Sequence, residues 1–255
     1  MLDYTIVVPS RKRQHNMATI TRLLPTALIC VDEREIEDYR PHVAASRLLP
    51  HPPMDGLFAG INWMMDTVKS PALIEIDDDF RGVQVLTGSR RFITDPIEIL
   101  AILENALITC DDLGLTTFCF SRTANYTIVR PNEKPMVPSG SVCNAFGVLG
   151  AARKRHYDTR FLGRGDVDWT CQTLLEDRAV LQDVRYYFDC GNVFGGRGGN
   201  VGLVTPEQFA LTSRRLKAKW GKHVSFKGLN FEKNKARDVA AIKIAVSRTN
   251  KTAQK

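Results

Sequence analysis

No apolar run in this 255-residue chain approaches the roughly 20 residues needed to cross a bilayer. The opening MLDYTIVVPSRKR places an acid and a proline where a signal peptide carries a longer apolar region. Both absences argue for a soluble, cytoplasmic protein. The six cysteines form no C-x-x-C pair and have no histidine at zinc-finger spacing. Cys30 and Cys119 sit inside the apolar runs ALICV and TTFCF, so buried free thiols in a reducing compartment are expected rather than disulfides or metal ligands. There is no internal repeat, no low-complexity tract and no linker that cuts the chain. The stretch CGNVFGGRGGN carries five glycines between Gly191 and Gly199, but no strand-loop-helix frame with dinucleotide-fingerprint or P-loop spacing surrounds it. It reads either as a loop that closes over a ligand, with Arg197 touching phosphate, or as a plain connection.

What is present is enough apolar content, 44%, to bury a full core. The net charge of +7 is unevenly spread. From Ser213 to Lys255 there are 13 Lys/Arg against two acids, a net of +11, which leaves residues 1–212 at −4. A slightly acidic body with a basic end suits contact with a polyanion, because each phosphate neutralised releases counterions. A solvated helix and frayed tail would carry the same charge.

Over the first 120 residues short β-rich runs alternate with helical patterns, as in a mainly parallel sheet covered by helices. Strands are expected at Tyr4–Val8, Thr26–Val31, Ala72–Ile76 and Thr116–Phe120. Helices are expected around Asn16–Leu24, Arg34–Tyr39 and Leu57–Val68, and from Asp95, which caps ahead of Pro96 with Glu98 in the capping-box position. Further along, DVDWTCQTLLEDRAVL suits a helix. TPEQFALTSRRLKAKWG has Thr205 as cap, Gln208 completing the box and Gly221 as stop. Val239, Ile242 and Val246 predict a last helix over about Ala236–Val246, with disorder after Ser247. The working division is 1–221 as one α/β domain and 222–255 as a basic helix and tail packed on it.

In open parallel sheets ligands bind beyond the carboxyl ends of the strands. PSRKR follows the first strand, DERE the second, and Asp77-Asp78-Asp79 the third. Together they form a cluster of cations and carboxylates suited to an anionic ligand with a hydroxylated part. Three adjacent carboxylates repel one another unless a cation sits among them. A hard divalent ion, Mg²⁺ or Mn²⁺, takes one or two carboxylates and fills its remaining positions with water and phosphate oxygens. If the strand conformation persists, Asp77 and Asp79 face one way and Asp78 the other.

YTIVVPSRKR, ICVDE, IEIDDDF and GRGDVDW, in this order, resemble the nucleotide-sugar glycosyltransferases of the GT-A fold, whose strand-end D-x-D binds a metal and the donor diphosphate. More narrowly they resemble the bacteriophage TET-associated glycosyltransferases, in which a phage enzyme would work in the host cytoplasm. The resemblance implies a GT-A-like, Rossmann-type mainly parallel sheet flanked by helices. It implies a metal-dependent hexosyl- or N-acetylhexosaminyltransferase using a nucleotide sugar, UDP-linked. Pro9, Ser10, Arg11 and Arg13 would line the nucleotide pocket, Asp32 would lie near base or ribose, and Asp77 and Asp78 would contact ribose or sugar hydroxyls. Asp79 would hold the metal, with His223 as a late ligand. Asp166, or Asp168, would be the base that takes the acceptor proton, although Gly165 stands where the family commonly has Glu. Asp166 also suits an N-cap. The implied acceptor is 5-hydroxymethylcytosine in phage DNA, flipped out to react, with Trp169 and Trp220 as candidates for stacking, although core packing is the better reading for each. A glycan or protein acceptor, or a nucleotide- or DNA-binding module without catalysis, remains open.

Overall fold

Strands buried on both faces read as unbroken apolar runs, and the central strands here behave so. A computed structural model describes residues 2–88, 90–128, 142, 144–191, 205–226 and 242–244. In chain order its elements are β1 (Tyr4–Pro9), α1 (Met17–Leu23), β2 (Leu28–Asp32), α2 (Ile36–Tyr39), β3 (Leu48–His51), α3 (Leu57–Thr67), β4 (Ala72–Ile76), β5 (Gly82–Val85) and β6 (Phe92–Ile93). There follow α4 (Pro96–Asp112), β7 (Thr117–Phe120), β8 (Ala145–Leu149), α5 (Gly165–Glu176), β9 (Leu181–Asp183), β10 (Tyr186–Asp189), α6 (Pro206–Trp220), β11 (Val224–Phe226) and β12 (Ile242–Ile244).

Seven strands form the central sheet in the order β3-β2-β1-β4-β8-β7-β9, with β8 antiparallel to both neighbours and the other pairs parallel. A second, antiparallel sheet of β10-β5-β6 stands beside it. Alternation along the strands divides the core into two layers. Ile6, Val8, Ile29, Ile74 and Ile76 pack with Ile20 and Leu23 of α1 and Leu103 and Leu107 of α4. Val7, Cys30, Leu73 and Val148 pack with Ile61 and Met64 of α3 and Val167 and Leu174 of α5. Gly147 lets β8 pass under Phe118, whose ring lies 2.1 Å from where a Cβ would stand.

The helix ends follow their sequence signals. The Asp95 carboxylate accepts from the Ile97 N–H at 3.0 Å, while Glu98 pairs with Arg91 at 2.7 Å. Thr205 and Gln208 complete the capping box of α6. The expected C-terminal helix is corrected at Ile242–Ile244, which is a strand paired antiparallel with β11; the rest of that stretch lies outside the described residues. Among the described residues no helix is long and apolar enough to cross a membrane.

The strand order reverses at β1, since β2 lies on one side and β4 on the other. The crevice at the carboxyl ends of β1 and β4 is therefore the topological switch point, where such sheets bind ligands.

Candidate active site

The segment leaving β1 and the segment leaving β4 are tied together across this crevice. Ser10 is buried, and its Oγ donates to Asp78 Oδ2 at 2.7 Å. Because that hydroxyl has one proton, the neighbouring Tyr39 hydroxyl, at 2.8 Å, donates to Ser10. Tyr39 in turn accepts from the Arg13 backbone N–H at 3.0 Å. The Arg13 guanidinium donates to Asp78 Oδ1 at 2.6 Å and to Asp79 Oδ2 at 2.9 Å. The Arg11 backbone N–H also bonds Asp78, and Asn16 Nδ2 donates to the Asp78 carbonyl at 3.1 Å. Asp78 is thus the anchor of the β1 loop, and Pro9 closes β1 beside Cys30 of β2.

Asp77, which the resemblance assigns to ribose or sugar hydroxyls, lies beside Asp79. Its N–H donates to the carbonyl of Asn144, just before β8, at 3.0 Å. Its carboxylate converges with those of Asp79 and the thiol of Cys190, ligand atoms all within 4.8 Å of one another. Asp77 therefore stands with Asp79 at the position suited to a metal, rather than with Asp78. The turn is fixed by Phe80, whose N–H donates to the Asp77 carbonyl at 3.2 Å and whose ring stacks on Phe188 of β10 at 5.4 Å.

Electrostatically the cluster holds more negative charge than Arg13 neutralises. Burial, together with the charges of Asp79 and Asp78, pushes the Asp77 carboxyl up to about 8, against the pull of Arg13. Burial likewise raises Asp78 and Asp79, opposed by Arg13. Two residues back on the same face of β4, burial drives the Glu75 carboxyl well above its ordinary range. Asp77, Asp79 and Cys190 offer oxygen and sulfur donors at mutual distances a single ion spans, so the donor set fits a divalent cation.

Asp166 lies in the first turn of α5, after Arg164 as N-cap, and not at the cap itself. Its charge acts on Asp77, on Tyr157 and on Arg164, so the start of α5 lies within electrostatic reach of the carboxylates after β4. Burial pulls the nearby Arg164 down to about 10, and its guanidinium lies over the Phe209 ring of α6 at 4.1 Å. Glycine at position 165 has a steric reason. A Cβ on Gly165 would stand 2.6 Å from the Phe58 ring of α3.

Asp168 does not join this group. It is fully buried, and its oxygens accept from Trp220 Nε1 at 2.7 Å, Gln172 Nε2 at 2.8 Å and Lys219 Nζ at 2.8 Å. It pins the end of α6 to α5. Trp169 is corrected from an acceptor platform to a core residue, fully buried, stacked on Tyr157 at 5.7 Å and donating to the Arg155 carbonyl at 3.2 Å. Asp32, at the carboxyl end of β2, is held by Arg34 at 2.8 and 2.6 Å. His223 closes a turn after α6 and is not in the Asp77–Asp79–Cys190 group. Arg197 lies outside the described residues.

Three cations of α6 serve the fold. Lys217 Nζ donates to the carbonyls of Gly221 and Val224 at 2.7 and 3.1 Å, Lys219 pairs with Asp158 and Asp168, and Arg215 donates to the Arg160 carbonyl at 3.2 Å.

Sequence reasoning missed Cys190, Tyr39 and Glu75. Tyr39 sits in a recognisable helix, but nothing local marks its hydroxyl as the link between Ser10 and Arg13. Cys190 follows β10 of the second sheet, and only the tertiary arrangement brings it to Asp77.

No protein-family model and no curated protein matches this chain. Among solved structures, glucosyl-3-phosphoglycerate synthase from Mycobacterium tuberculosis in complex with Mg²⁺ and UDP is similar, at a TM-score of 0.53 and 12% identity, over 89% of this chain and 84% of that one. The same protein with Mn²⁺, UDP-glucose and phosphoglyceric acid matches at 0.51 and 10% identity, over 97% and 88%. S. aureus TarS 1–349 in complex with UDP-GlcNAc aligns at 0.49 and 13% identity, over 87% and 67%. This chain spans 66% of another structure of the TarS 1–349 fragment and 40% of a longer TarS chain. At these identities the likeness to the synthase shows the fold, a GT-A-like α/β sheet flanked by helices.

Proposed function

We propose that this chain is a metal-dependent glycosyltransferase that moves a sugar from a UDP-linked nucleotide sugar to a hydroxyl acceptor. The observation that carries the reading is the convergence of Asp77, Asp79 and Cys190 at the switch point of a GT-A-like sheet, beside Arg13 and opposite Asp166. The synthase of the same fold was solved with UDP and with Mg²⁺ or Mn²⁺, which supports the choice of donor and cofactor. Asp79 and Asp77 would hold the divalent ion. When bound, the ion supplies positive charge against the diphosphate as it leaves.

The remaining work falls to the chain. The loop of Pro9, Ser10, Arg11 and Arg13, locked by Asp78 and Tyr39, forms the wall against which the nucleotide lies, with Asp32 at its far side. Asp166 accepts the proton of the attacking hydroxyl, and the N-terminus of α5 stabilises its charged form before it does. Gly165 allows α5 to approach α3 closely enough to bring Asp166 toward β4.

The acceptor we propose is 5-hydroxymethylcytosine in DNA. The resemblance of YTIVVPSRKR, IEIDDDF and GRGDVDW to the phage TET-associated enzymes supports it, as does the +11 charge of residues 213–255. A non-DNA acceptor, such as a glycan or protein, is favoured by a different observation: Arg215, Lys217 and Lys219 are engaged within the fold and do not form a free basic stripe on α6. One experiment separates them. The protein with Mn²⁺ and a panel of sugar nucleotides is incubated with DNA containing hydroxymethylcytosine, and each nucleoside is weighed by mass spectrometry. A hexose-sized gain supports the DNA acceptor; sugar-nucleotide hydrolysis without DNA gain supports the alternative, and no donor consumption at all counts against the enzyme.

A further inference from the structure

We infer that Cys190 is a direct metal ligand, and that its sulfur makes this centre favour thiophilic ions such as Co²⁺, Zn²⁺ and Cd²⁺ over Mg²⁺. The inference rests on the metal-dependent reading above and narrows it. Cys190 comes from the end of β10, in a different sheet from Asp77 and Asp79, yet its Sγ lies within 4.8 Å of both carboxylates. Ligands of one ion, with bonds of about 2.0–2.4 Å, stand roughly 3–4.8 Å apart, so the three donors are already grouped within the reach of a single ion.

The surroundings hold the thiol in that place. The Asn144 carbonyl accepts from the Asp77 N–H at 3.0 Å and from the Cys190 thiol at 3.9 Å, so in the metal-free protein one backbone oxygen holds both residues in place. The Arg81 N–H donates to the Asp189 carbonyl at 2.8 Å, fixing the residue before Cys190. The residue after it, Gly191, has φ +69°, and a Cβ there would stand 3.0 Å from the Arg81 guanidinium. A buried polar atom close in the chain is also unsatisfied: Glu75, two residues before Asp77, is 5% exposed, and among the described residues its Oε2 has no hydrogen-bond partner.

Hard ions take oxygen ligands, whereas thiolates select softer ones. On binding, the thiol gives its proton to solvent and the sulfur lone pair enters the metal's coordination shell. An all-carboxylate centre would give no sulfur-to-metal charge-transfer band, so the identity of the third ligand is measurable without any sugar donor.

The test uses the full chain, titrated with Co²⁺ in the absence of nucleotide and followed both by calorimetry and by the near-ultraviolet sulfur-to-cobalt charge-transfer band. The wild-type protein is expected to show the band, to bind Zn²⁺ and Cd²⁺ more tightly than Mg²⁺, and to lose the band in Cys190→Ser with at least about tenfold weaker Cd²⁺ binding. Asp79→Asn, which leaves the sulfur in place, is expected to weaken every ion. Cobalt bound to the wild-type chain without the band, a band that persists in Cys190→Ser, or no cobalt binding at all overturns the inference. The two readings fail separately: sugar transfer supported by Mg²⁺ with no sulfur band overturns the sulfur ligand alone. A band with no consumption of any sugar nucleotide upholds the ligand and sinks the transferase.

Discussion

Arg13 Nη1 lies 2.6 Å from Asp78 Oδ1, in a pair whose side chains are 12% and 7% exposed, and this pair joins the loop after β1 to the loop after β4. Removing one partner of a largely buried ion pair leaves the other charge uncompensated. Arg13→Met is expected to destabilise the metal-free protein by about 3 kcal/mol. Arg13→Met with Asp78→Asn is expected to recover part of that loss. Urea unfolding of the three proteins checks it.

Asp166 and Asp168 lie two residues apart in different surroundings: Asp168 is buried under Trp220, Gln172 and Lys219, whereas Asp166 is the base of the proposed transfer. Asp166→Asn is expected to lower the rate of sugar transfer by about 10²–10⁴-fold and to leave the melting temperature nearly unchanged. Asp168→Ala strands Lys219 and Trp220 and is expected to destabilise the fold by about 3 kcal/mol, with donor binding intact in the folded fraction. Paired kinetic and thermal measurements on both variants distinguish the two roles.

Position 165 tests the close approach of α5 to α3. With the Phe58 ring 2.6 Å from the site of a new Cβ, Gly165→Ala is expected to cost about 1–3 kcal/mol. Gly165→Glu is expected to cost more. Phe58→Leu in the Gly165→Ala background relieves the contact, and denaturation of single and double variants reads the recovery.

The pH dependence of one buried carboxylate follows from its partner. Arg34, by hydrogen bonds first and charge second, brings Asp32 down to about 2 from its ordinary 3.8. Because the folded value is the lower, the stabilisation is present above about pH 4 and is lost as pH falls toward 2. Arg34→Gln is expected to return Asp32 toward its ordinary value, read by NMR titration of its carboxyl carbon.

Much of the fold was legible because its signals are local. β1, β2, β4 and β7 are apolar runs buried on both faces, and Asp95, Thr205 and Gln208 are caps that act within one turn. β3 was not legible, since Pro50 and His51 mask a short edge strand. Ile242-Lys243-Ile244 satisfies both a helical stripe and period-2 alternation, and its pairing with β11 decided between them. At the site, the Asp triplet and PSRKR announce themselves at strand ends. The partition of the triplet between Arg13 and the metal position depends on Cys190 and Asn144, which reach Asp77 through contacts that no sequence window contains.

The most direct test of the account is UDP binding by calorimetry, with and without Mn²⁺, in the wild-type chain and in Asp79→Ala. UDP is expected to bind tightly only with the metal, and the Asp79→Ala protein to bind it at least about tenfold more weakly. Equal UDP affinity with and without metal, or an Asp79→Ala protein that binds as the wild type does, would contradict it.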